Sequence, residues 1–166
     1  MFFKLKSYFN FLLKSTNQHG VHSPFVFSFV TKCLYTKKRL HAQKTINVLL
    51  KSIDYFDFRH LQIYDNPKLK STILNSYPKL KFNEQTTDLL FINDLDQNAV
   101  RHVLSIKTLH NNSMLLVDGI HSNQEKENIW KRLIRIPNIT VSLDMYHCGV
   151  LFLRKEQEKE HFTIRI

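Results

Sequence analysis

The chain opens on an apolar stripe. Leu5, Tyr8, Phe9 and Leu12 recur at helical spacing, and Phe2 and Leu13 widen the same stripe, which predicts an amphipathic helix with Phe3 and Phe11 on its polar side beside Lys4 and Lys14, a face suited to an interface. Asn17-Gln18-His19-Gly20 interrupts the pattern. Ser23-Pro24 then pairs an N-cap residue with a proline in the first helical turn, where its missing N–H costs nothing, and a second helix is predicted from Pro24 to Tyr35. After the basic turn Lys37-Lys38-Arg39, the positions Leu40, Ile46, Leu49, Leu50 and Ile53 permit a third helix, although the phase drifts at its start.

From His60 the period changes. Short β-rich runs at 60–64, 79–83, 88–93 and 113–118 alternate with helical stretches at 68–76, after Asp96 and at 123–135, the pattern of a parallel sheet with crossover helices. Val100, Val103, Leu104 and Ile106 mark the inner face of the second of these helices, and Ile129, Trp130, Leu133 and Ile134 that of the third. Asn138–Met145 and Val150–Arg154 are joined only by Tyr146-His147-Cys148-Gly149, too short for a parallel crossover, so they are expected to be antiparallel neighbours. The alternation of Phe162, Ile164 and Ile166 predicts a final edge strand. With 166 residues, no internal repeat and no linker-like tract, the expectation is one α/β domain over 1–166. Residues 1–56 would be a basic helical arm and 57–166 the core.

Charge adds an asymmetry. Of the net +10, residues 1–53 supply +9, from eight Lys and one Arg with no Asp or Glu. Such a block can face nucleic-acid phosphates or an anionic membrane surface, or it can be a solvated basic face. Cys33 and Cys148 are far apart and form no CxxC pair, so they read as small buried hydrophobes. Asn10 breaks the first apolar run, no small-residue cleavage site follows, and no stretch reaches the roughly 18 apolar residues of a membrane span. The expectation is a cytoplasmic protein with no transmembrane segment.

In an open parallel sheet, ligands bind beyond the carboxyl ends of the strands, so polar residues there carry the candidate chemistry. The first strand ends in Tyr64-Asp65-Asn66-Pro67, and Glu84 stands 19 residues beyond Asp65, near the roughly 20-residue spacing of an acid that binds a ribose hydroxyl. Asp65, Asn66, Glu84 and Asn93 are therefore the candidate cofactor side. Asp118-Gly119-Ile120-His121 follows the apolar Met114–Val117. A carboxylate and an imidazole three residues apart at the sheet mouth can orient a substrate hydroxyl and accept its proton, and equally Asp118 can cap a turn with His121 on the surface. His19 and His22 have no Cys, Asp or Glu nearby to complete a metal site, and no metal is predicted.

The segment Lys14-Ser15-Thr16-Asn17-Gln18-His19-Gly20-Val21-His22-Ser23-Pro24-Phe25-Val26 resembles the opening of a family of bacterial class I S-adenosylmethionine-dependent methyltransferases. Trp130, Pro137, Ile139–Val141, Gly149–Phe152 and the run Arg154–Phe162 are similar to that family's C-terminus. The resemblance implies a Rossmann-like sheet, mostly parallel with an antiparallel C-terminal hairpin, and methyl transfer from S-adenosylmethionine to a small-molecule acceptor through Asp118 and His121. It also implies a Glu and a glycine-rich loop after the first strand, where this sequence has Ile63-Tyr64-Asp65-Asn66-Pro67, and a longer middle than it has between Asn83 and Asp88. Side chains with a Cβ keep backbone away from a ligand, so the expectation is a methyltransferase-like protein with a degenerate cofactor pocket, weak or absent cofactor binding and weak or no activity. The alternative is a non-catalytic binding protein whose basic N-terminal helices contact nucleic acid, an anionic membrane surface or a protein partner.

Overall fold

The structure, a computed structural model, describes residues 2–64, 66–82 and 85–166. Helix α1 spans Phe2–Lys14; α2 spans Pro24–Phe29 and runs on into a wider π-helical turn, Val30–Leu34; α3 spans Lys44–Phe56. Then come β1 (His60–Tyr64), α4 (Pro67–Ser76), β2 (Lys81–Phe82), β3 (Thr87–Ile92), α5 (Gln97–Ser105) and β4 (Leu109–Asp118). Helix α6 (Gln124–Leu133), β5 (Val141–Asp144), β6 (Cys148–Phe152) and β7 (Glu160–Thr163) complete the order.

The described residues form a seven-stranded sheet in the order β2-β1-β3-β4-β6-β5-β7. Neighbours among β1 to β4 are parallel, β6 runs antiparallel to both β4 and β5, and β7 lies parallel to β5 at the edge. This is a Rossmann-like α/β architecture, mostly parallel, with the expected β5–β6 hairpin. Its strands are buried on both faces, which is why they read as continuous apolar runs. Leu89 and Phe91 of β3 join one core cluster with Val26, Phe29, Leu49 and Ile73 from α2, α3 and α4. Leu90 and Ile92, one residue out of phase, join a second cluster with Ala99, Ile129 and Trp130 from α5 and α6.

The N-terminal segment is therefore more than an arm. Phe25 and Phe29 of α2 meet Phe152 of β6 edge-on, at 4.9 and 5.6 Å between ring centroids, so α2 and α3 are a full layer over the sheet. Lys51 of the basic block is buried, and its Nζ donates to the carbonyls of Leu34 and Thr36, satisfying the chain end of the π-helical turn. The predicted start of the third helix moves to Lys44, because the Asn47 carboxamide accepts from the N–H groups of Leu40 and His41 and holds them outside the helix.

The inward side of α1 is Ser7 and Phe11, the latter on the side the pattern read as polar, while Phe2, Leu5, Tyr8, Phe9 and Leu13 of the apolar stripe are exposed. The helix docks through polar contacts, described below, that a hydrophobic pattern does not encode.

Backbone approach decides how closely α6 packs on the sheet. Gly149 of β6 lies directly under Trp130, and a Cβ built on it would fall 2.4 Å from the indole ring. Gly149→Ala is expected to destabilise the protein by roughly 2 kcal/mol or more, read as a lower midpoint of urea unfolding. Combined with Trp130→Leu, the loss should be well short of the sum of the single changes. Strict additivity would show that this contact does not set the packing.

Candidate functional site

The chain runs from β1 outward to β2 and then returns to the other side of β1 as β3, so the strand order reverses between β1 and β3, where open α/β sheets take their ligands. A basin of about 730 Å3 opens there, lined by the ends of β1, β3 and β4 and by the first turns of α3 and α4. Asn66 caps α4, its Oδ1 accepting from Leu69 N–H at 3.0 Å, while its Nδ2 donates to Asn93 Oδ1 at 2.9 Å. That second bond ties the exit of β1 to the exit of β3 across the switch point. Asp65 and Glu84 lie outside the described residues.

Asp118 ends β4 and accepts a hydrogen bond from the Thr45 hydroxyl in the first turn of α3. Gly119 follows with φ +62°, a left-handed turn that glycine takes without strain, and its N–H donates to His147 carbonyl at 2.8 Å. His121 lines the same basin as Asp118, but no hydrogen bond joins the two among the described residues. Its Nε2 lies 2.7 Å from Asp144 Oδ2, and its Nδ1 lies 3.2 Å from Glu127 Oε2 and 3.0 Å from Ser7 Oγ. With both ring nitrogens committed, His121 is not a free base beside Asp118. It anchors α1 to α6 and β5.

The rest of that anchor is aromatic. Tyr146, held at φ +65° in the β5–β6 turn with its N–H bonded to Asp144 Oδ1 at 2.9 Å, stacks on the His121 ring at 5.3 Å. It also meets Tyr8 and Phe11 of α1 at 4.9 and 5.4 Å, and its hydroxyl donates to Lys4 carbonyl. Burial works against protonating His121. The hydrogen bonds and charges of Asp144 and then Glu127 outweigh it and raise the pKa above the ordinary imidazole value.

The basin's other imidazole was not singled out by sequence reasoning. His147 lines it and makes no ring hydrogen bond among the described residues; burial, then the charge of Lys44, lowers its pKa below the ordinary imidazole value. Its only sequence signal was its place in the short hairpin connection. Lys4, Lys44 and Lys68 also line the basin, against Asp118 as the described carboxylate there, and the Lys44 ammonium reaches Ile166 carbonyl. Both cysteines are free and buried; burial pushes the Cys33 thiol up to about 12 and raises that of Cys148, so neither is a reactive thiolate.

No protein-family profile matches the chain, and no curated protein matches it. Among solved structures it is similar to a Staphylococcus aureus protein assigned as a caffeoyl-CoA O-methyltransferase, with 13% sequence identity and a TM-score of 0.48 over 90% of this chain and 99% of the other.

The His121 network has a pH signature. A raised folded-state pKa contributes stability that is complete below the unfolded value of roughly 6.5 and is lost as pH rises through the folded value. His147 and His161, whose pKa values are lowered mainly by burial, act in the opposite sense, so the informative quantity is a difference. The stability advantage of wild type over His121→Gln, measured by urea unfolding between about pH 5.5 and 8.5, should shrink steadily with rising pH. A pH-independent difference would mean that His121 is neutral throughout.

Proposed function

We propose that this is a methyltransferase-like protein of the S-adenosylmethionine type with a degenerate cofactor side, so that it binds the cofactor weakly or not at all. The observation that carries this reading is the Asn66–Asn93 bridge at 2.9 Å, which lies across the switch point where the fold takes its ligand. The composition of the turn supports it. The chain's three glycines are Gly20, Gly119 and Gly149, none in the 64–67 turn, so side chains stand where backbone must approach a nucleoside. Asn66 and Asn93, the described residues of the candidate cofactor side, engage each other, which supports weak or absent binding of S-adenosylmethionine.

What remains is the acceptor side of the basin, with Asp118, His147 and the lysines available to a small polar or anionic molecule. An imidazole whose pKa burial lowers and a carboxyl side chain in one hollow can take up a proton and orient a hydroxyl, the chemistry the sequence assigned to Asp118 and His121. The outward apolar face of α1 favours the second reading, a non-catalytic binding role, since that face is left uncovered by the described residues.

Isothermal titration of the purified protein with S-adenosylmethionine and S-adenosylhomocysteine is expected to give no heat of binding up to about millimolar ligand, the level at which binding is worth only about 4 kcal/mol. Micromolar binding that weakens in Asn66→Ala or Asn93→Ala would overturn the proposal and restore those residues to the cofactor role the sequence gave them.

A further inference from the structure

Helix α1 presents its hydrophobic stripe to the outside. Phe2 is 91% exposed, Leu13 85%, and Leu5 and Phe9 58% each. At 100° per residue these four side chains share one face, opposite the inward Ser7 and Phe11. The helix cannot roll to bury them. Ser7 is bound to His121 and donates to Glu127 at 3.0 Å, Phe11 packs against Tyr146, and the Tyr146 hydroxyl holds Lys4 carbonyl at 3.0 Å. Lys4, Lys6 and Lys14 of the same helix are exposed, Lys6 on the border of the stripe, and no carboxylate occurs before Asp54.

We propose that α1 is an interfacial anchor that seats the protein on a bilayer surface containing anionic lipid. An apolar stripe bordered by Lys6, on a helix whose Lys4 and Lys14 are also exposed, can bury hydrocarbon at the level of the lipid headgroups while leaving ammonium groups within reach of the phosphates. At 13 residues α1 is too short to cross a bilayer, and no helix among the described residues is long and apolar enough to do so, so the helix lies in the surface plane. Nucleic acid fits less well, because it offers phosphate charge but nothing to cover Phe2, Leu5, Phe9 and Leu13. A second copy fits less well too. Pairing α1 with α1 would bring the exposed Lys4, Lys6 and Lys14 of each copy near those of the other, with no carboxylate on either helix to offset them. An anionic bilayer satisfies both the apolar and the cationic parts.

The test is flotation of the whole purified chain with vesicles of phosphatidylcholine alone and of phosphatidylcholine mixed with phosphatidylglycerol. Binding is expected to the mixed vesicles and not to the neutral ones, with a marked loss in high salt. Phe9→Ser combined with Leu13→Ser, both exposed and away from the core, should weaken binding by at least about tenfold while leaving the far-ultraviolet circular dichroism and the unfolding midpoint unchanged. Lys6→Glu combined with Lys14→Glu should also weaken binding and remove most of its salt dependence. No flotation of the folded wild-type protein would overturn the proposal. So would binding that the serine variant leaves intact, self-association that the same variant abolishes without any vesicle binding, or retention by RNA rather than by vesicles.

Discussion

His121 stands at the centre of a four-element contact. It leaves the sheet after β4, meets Asp144 at the end of β5 and Glu127 on α6, and shares Glu127 with Ser7 of α1. An imidazole whose side chain is about one-tenth exposed, between two carboxylates of similar burial, is held because each charge answers another, and removing any one would strand the others in a poorly solvated place. The orientation of α1, the strained turn at Tyr146 and the shape of the basin's rim all follow from this contact. A few polar bonds in one corner thus decide which face of a strongly hydrophobic helix meets water.

Most of the architecture was legible because it rests on burial. The strands, the hairpin and the final edge strand come from runs such as Leu89–Ile92 and Met114–Val117, whose alternate residues pack into opposite cores. The face of α1 was not legible, since a stripe at helical spacing ordinarily points inward and only two inward residues, Ser7 and Phe11, contradict it. The site divides along the same line. Asp118, His121, Asn66 and Asn93 could be singled out because strand ends are visible in sequence, but Glu127, Asp144 and Ser7 lie 6, 23 and 114 residues from His121 and become its partners only through the fold. The readings of Asp65 and Glu84 fall outside the described residues.

The switch point carries both the basin and the Asn66–Asn93 bond on its lining. Asn66 caps α4 with its Oδ1 and donates its Nδ2 to Asn93 Oδ1, so the two carboxamides at the strand exits partner each other. The basin that remains is rimmed by Lys4 of α1, the same helix whose outer face is apolar. Whatever covers α1 therefore sits next to the entrance of the basin.

The two rims of the sheet carry a further consequence. Among the described residues the sheet ends at β2 on one side, and on the other β7 is followed outward by Thr16, whose N–H and carbonyl bond Thr163 and Arg165. An edge already engaged by the chain's own backbone gives a neighbouring molecule little to extend by strand addition. Backbone pairing at the β7 edge is thereby discouraged.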